Sequence, residues 1–180
     1  MGESGFSMQP FEARRVRVES ARSFEDVLQN LQTLVGKTTI PQASPQEQAS
    51  APTREQFEQA IQSQVGESDF TLMFAMDYGH WLPHFGIQRK VILWILGNPL
   101  IAITMIRHDI TASLFAPVEL LLVEHESGAG STVIYDLPSS LMVIEPNPDL
   151  LAAARVLDQK LERLVRRVTG VDPNRTAESA

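Results

Sequence analysis

A chain of 180 residues is long enough for one domain with a sizeable core, and the absence of cysteine rules out disulfides, thiolate metal ligands and a catalytic thiol. With 15 basic and 22 acidic side chains the net charge is −7, which repels phosphate backbones and anionic lipid and argues against nucleic-acid and membrane-surface roles. The stretch from Met1 to Glu12 is too poor in apolar residues for a secretory signal, so a reducing, cytoplasmic setting is expected.

Val16 and Val18 alternate with Arg15, Arg17 and Glu19, the period of a strand with one buried face. Ser23 suits an N-cap, and Phe24, Val27, Leu28, Leu31, Leu34 and Val35 follow at helical spacing up to Gly36. From Lys37 to Pro52 the chain is rich in Pro, Ser, Gln and Ala without an aromatic residue, which predicts a mobile insertion at 37–52. Thr53 and Gln56 form a capping-box pattern ahead of a short helix carrying Phe57, Ala60, Ile61 and Val65. Phe70 to Met76 reads as a strand broken by Asp77-Tyr78-Gly79, and His80 to Gly86 as a loop.

Val91 to Ile106 carries no charge. A membrane-spanning helix needs about 20 apolar residues without such breakers as Gly97-Asn98-Pro99 at the centre. The same tripeptide suits a strand-to-helix junction: glycine for the turn, asparagine as N-cap, proline at the first helical position. Val91 to Leu96, apolar throughout, predicts a strand covered on both faces. Leu100 to about Arg107 predicts a short helix apolar nearly all round, which needs cover on every side and favours a dimer or a deep core.

Val118 to Val123 and Thr132 to Tyr135 read as a hairpin, and Leu141 to Ile144 as one more edge strand. Asn147-Pro148 starts a last helix whose stripe from Leu150 to Val168 ends at Gly170. The expected organisation is a flexible N-terminus over 1–13, one α+β domain over 14–170 and a flexible tail over 171–180.

The element order, with Gly97-Asn98-Pro99-Leu100-Ile101-Ala102 at the junction and Pro117 opening the next strand, resembles the domain-of-unknown-function family three-hundred-and-two. The likeness runs from about Val16 to Val168 apart from the insertion. Gly79-His80-Trp81 and Pro138-Ser139-Ser140 look most like fungal members. The resemblance implies a homodimeric α+β domain, its curved antiparallel sheet gripped by helices in a TATA-binding-protein-like arrangement and a short helix following Asn98-Pro99. It implies no known activity and supplies no catalytic residues.

The chemistry-bearing residues concentrate in Asp77, His80 and His84, with His108 and Asp109 further on. Imidazole and carboxylate suit zinc or non-haem iron, and a histidine can serve haem as an axial ligand. Gly79 and Pro83 deny His80 and His84 the regular helix that would place them on one face, so no metal and no cofactor is expected. His80 with Asp77 makes a possible acid/base pair, because a carboxylate fixes the imidazole tautomer and raises its basicity. Catalysis by that pair requires the two groups within hydrogen-bond reach and facing a pocket.

Trp81, His84, Asn98, Met105 and His108 are the candidate ligand-binding residues, although N-capping explains Asn98 fully and core filling explains Met105 better than a ligand cavity does. Arg163, Arg166 and Arg167 fit cations at a helix C-terminus better than a binding patch. Two functions follow as expectations: a soluble homodimeric domain binding a small apolar molecule in the hollow of its sheet, or a protein partner; and an accessory enzyme of specialised metabolism working through His80 and Asp77.

Overall fold

Arg15–Ser20 forms the edge strand β1 of a six-stranded sheet in a computed structural model that describes residues 5–37 and 53–172. The insertion expected at 37–52 lies, beyond Lys37, outside the described residues, as do 1–4 and 173–180. After β1 come α1 (Phe24–Leu34), β2 (Gly36–Lys37), α2 (Arg54–Gln62), β3 (Thr71–Asp77) and β4 (Val91–Gly97). Then follow α3 (Pro99–Ile106), β5 (Val118–Glu124), β6 (Ser131–Asp136), α4 (Pro138–Met142) and α5 (Pro148–Thr169). The sheet order is β1-β6-β5-β4-β3-β2, antiparallel except for the short parallel pairing of β2 with β3. The fold is α+β, as the sequence leads one to expect.

Local chemistry sets the helix starts. The Ser23 hydroxyl accepts from Asp26 N at 3.1 Å, and Thr53 and Gln56 complete their capping box. Asn147 Oδ1 accepts from Leu150 N at 3.0 Å, with Pro148 in the first turn. The far end of α5 stops at Gly170, whose φ of 71° is the left-handed conformation glycine takes freely. There Arg22 Nη1 donates to the carbonyls of Arg167 and Val168 at 2.9 and 2.8 Å, satisfying terminal acceptors. Arg166 pairs with Glu162, and Arg167 with Glu67 at 2.9 Å, so both are engaged in ion pairs.

Side chains alternate across the strands, and one face of the sheet is the core. Trp94 and Leu96 of β4, Leu120 and Leu122 of β5 and Val133 of β6 are buried against α1 and α5. Val27 and Leu31 of α1 and Leu157, Leu161 and Leu164 of α5 close this layer.

The opposite face is open. Met76, Leu93, Leu121 and Ile134 stand side by side across β3, β4, β5 and β6, and Phe74 lies opposite Ile95 in the next row. Phe74 is 50 % exposed and Met76 41 %, while Leu93, Ile95, Leu121 and Ile134 are half-buried. Among the described residues the expectation that β4 is covered on both faces therefore fails, because no described element crosses that side.

Three further expectations meet the structure. The strand-to-helix junction at 97–99 is as predicted, with Asn98 Oδ1 accepting from Leu100 N at 2.9 Å. Complete cover of α3 is not found: Met105 is its buried residue, and Ile103 remains 45 % exposed. Leu141 to Ile144 is no strand. β1 takes the edge of β6, and Pro138 starts α4 instead, docked on α5 through Ser139 N donating to Asp158 Oδ1 at 2.9 Å.

Candidate functional site

The chain breakers that turn β4 into α3 also frame a cavity. Gly97 has no side chain, and a Cβ there would fall onto the sulfur of Met73 and within 3.3 Å of Pro117 Cβ. The Thr71 hydroxyl donates to the Gly97 carbonyl at 2.8 Å, fixing the end of β4 against the start of β3. Asn98 then uses both ends of its amide: Oδ1 caps α3, and Nδ2 donates to the backbone carbonyl of Asp69 at 2.9 Å.

Between the α3 underside, the end of β4 and α5 these contacts leave a cavity of about 200 Å³. Phe70, Leu96, Ile101, Ala102, Met105 and Leu157 form its walls, and Asn98 adds a polar side chain. A cavity with this lining takes an apolar guest, because water held there finds few hydrogen-bond partners.

A second recess of about 340 Å³ adjoins it and shares Asn98 and Ile101 as walls. Its other side chains include Gln62, Asp69 and Lys160, and the Lys160 ammonium pairs with the Asp69 carboxylate. Lys160 sits one turn along α5 from Leu157, so the same helix face serves both spaces. Asp69 itself has a φ of 67°, a left-handed conformation that aspartate enters more readily than most residues.

Two other hollows flank the sheet, one of about 400 Å³ beside Leu114 and Glu119, one of about 390 Å³ beside Tyr135, Glu162 and Arg166. At the latter, burial first and then the carboxylates of Glu162 and Asp158 push the Tyr135 phenol up to about 12, so it stays protonated at neutral pH.

The sequence-derived candidates fall into separate places. Asn98 and Met105 line the apolar cavity; Asp77, His80, Trp81, His84 and His108 do not. Asp77 Oδ1 accepts from Gly79 N at 2.7 Å, capping a 3-10 turn over Tyr78–His80. The His80 side chain is 87 % exposed, and its Nε2 stands 3.9 Å from Asp77 Oδ2, beyond hydrogen-bond distance. Trp81 bridges Tyr78 and Phe85 with ring centroids at 5.6 and 6.0 Å, an exposed aromatic group between β3 and β4. His84 is exposed beside it. His108 lies past the end of α3, exposed, with its carbonyl accepting from Asn147 Nδ2 at 3.4 Å.

Asp109 caps the next turn through Thr111, whose hydroxyl and amide hold the carboxyl below its usual range. Among the described residues no three His, Asp or Glu side chains converge as metal ligands, and no helix is long and apolar enough to cross a membrane.

Sequence reasoning missed two groups. Lys160 carries no motif, and its place beside the cavity depends on the packing of α5. His125 is the other: its Nε2 lies 2.8 Å from Glu19 Oε2 and 3.1 Å from Thr132 Oγ1, and its Nδ1 is 3.1 Å from the Ala129 carbonyl. Thr132 Oγ1 also donates to Glu19 Oε2 at 2.6 Å. The Thr132 bond above all, with His125 and Arg17 behind it, holds the Glu19 carboxyl below its usual range against the opposing effect of burial. This knot ties β1 to the β5–β6 turn across 106 residues, a span over which spacing gives no signal.

Comparison with known proteins gives a family and a fold. A family model described as "Domain of unknown function DUF302" matches residues 46–168. The chain is also similar to the structure described as "Crystal structure of uncharacterized conserved protein DUF302 from Bacillus stearothermophilus", with 13 % identity and a TM-score of 0.58, over 86 % of this chain and 97 % of that one. At that identity the likeness speaks for the fold alone. No curated protein matches the chain.

Proposed function

Taking as premise that the chain belongs to the family described as Domain of unknown function DUF302, we propose that it is a homodimeric binding module for a small, largely apolar molecule. The observation that carries this reading is the cavity of about 200 Å³ walled by Phe70, Leu96, Ala102, Met105 and Leu157. Each methylene transferred into such a space gains about 0.8 kcal/mol, so six of them supply about 5 kcal/mol without any polar contact. The domain spans 14–170 and works in the cytoplasm, in keeping with its lack of cysteine.

The dimer is supported by the uncovered sheet face. The row Met76, Leu93, Leu121 and Ile134 is apolar across four strands, continuous, and free of any covering element among the described residues. A second copy seated there supplies the cover that β4 lacks, and the same patch on both copies is what a two-fold interface requires. The enzyme alternative asks His80 and Asp77 to act together at a pocket; at 3.9 Å apart and turned to water they favour it with no observation.

The test is thermal unfolding with 1-hexanol as probe. The wild-type melting temperature should rise with hexanol at concentrations that leave the Ala102→Phe variant unmoved, since the added ring fills the cavity. Equal shifts in both proteins would place the alcohol elsewhere and refute the reading.

A further inference from the structure

The apolar cavity and the charged recess that holds Lys160 and Asp69 lie side by side, with Asn98 and Ile101 as their common border, so a molecule extending past them leaves hydrocarbon surroundings for charged ones. We propose that the occupant is a short amphiphile with one anionic head, its apolar part beneath α3 against Ala102, Met105 and Leu157 and its head on the ammonium of Lys160. This rests on the apolar-binding reading above and adds to it the polarity and sign of the ligand.

Four observations choose the sign and the length. Leu157 and Lys160 are one turn apart on one face of α5, so a chain lying along that face from the cavity runs toward Lys160. The Lys160 side chain is 25 % exposed and that of Asp69 is 52 %. The lysine side chain is therefore the more withdrawn of the pair, and an added counter-charge is matched to it rather than to the more solvated carboxylate at the rim. An ammonium has three donors, and Asp69 takes part of that capacity only. As for length, an apolar cavity of about 150 Å³ holds a benzene ring, so one of about 200 Å³ takes about six to eight carbons.

Calorimetric titration of the full chain with matched n-alkanoates, n-alkanols and n-alkylammonium ions of four to twelve carbons tests this. Affinity should rise about fourfold per methylene and level off near eight carbons. Octanoate should bind about tenfold tighter than octanol, a margin expected of one charge-assisted hydrogen bond. Lys160→Gln should erase the difference between acid and alcohol. Asp69→Asn, which keeps a side chain tolerant of the left-handed backbone, should tighten octanoate by removing the competing carboxylate.

Alkanols binding as well as alkanoates, or a preference for alkylammonium, would overturn this inference and leave apolar binding standing. No binding in any series would overturn both. Binding to phosphatidylglycerol vesicles without binding of free octanoate would mean the head belongs to a membrane lipid, and would also overturn it.

Discussion

The side-chain amide of Asn98 donates to the backbone carbonyl of Asp69 at 2.9 Å, so the residue that starts α3 also holds the turn before β3. One side chain thereby joins the roof of the apolar cavity to the wall of the charged recess. Asn98→Ala loses the N-cap, worth about 1 kcal/mol, and the bond to Asp69, worth about 1 kcal/mol more. Urea denaturation should show about 2 kcal/mol of destabilisation. Asn98→Asp keeps an acceptor for Leu100 N but loses the donor, and should cost about half as much.

Gly97 and Met73 make a second pair. A methyl at position 97 meets the Met73 sulfur, and Met73 is flexible and 39 % exposed, so Gly97→Ala is accommodated by pushing that side chain into the cavity it lines. Hexanol affinity should fall in Gly97→Ala and return in Gly97→Ala/Met73→Ala, as read by titration calorimetry. An unchanged affinity in the single variant would mean that Met73 does not border the ligand.

Most of the architecture is legible in the sequence because its signals are local. Asn98-Pro99 and Asn147-Pro148 place α3 and α5, Thr53 with Gln56 places α2, and the alternation around Val16 and Val18 places β1. Leu141 to Ile144 misleads because edge pairing is decided by β1, more than a hundred residues earlier. The site is half legible. Asn98 and Met105 were marked by the junction they belong to, whereas Lys160 and His125 are brought to their places by tertiary packing and leave no spacing to read. The histidines near Asp77 have the residue types of an acid/base or metal site, and the structure sets them in an exposed connection.

The knot of Glu19, His125 and Thr132 predicts a pH effect. Glu19 has a carboxyl held below its ordinary value in the folded chain, so its contribution is present above the unfolded pKa of about 4.3 and is lost as pH falls through the lower folded value. The side chain is 58 % exposed, and screening by solvent keeps the gain to under about 1 kcal/mol. Glu19→Gln should lower the melting temperature by about 2 °C at pH 7 and by less as pH approaches 3. Thr132→Val removes the hydroxyl bond that does most to hold the carboxyl down and should reproduce most of that loss.

Leu93 sits in the middle of the uncovered row, opposite Met76 on one side and Leu121 on the other. In the isolated chain it is half-buried on an open face, so Leu93→Lys should leave a folded monomer. In a dimer formed through that face it would bury an unpaired charge. Sedimentation velocity should show the wild type as a dimer and the variant as a monomer; a wild type that sediments as a monomer at about 100 µM would refute the interface.

The most direct measurement is a crystal of the wild-type protein pressurised with xenon, which settles in dry apolar cavities large enough for it. The account predicts a xenon peak enclosed by Ala102, Met105 and Leu157 beneath α3. Ordered water filling that space, or xenon bound only at other positions, would contradict it.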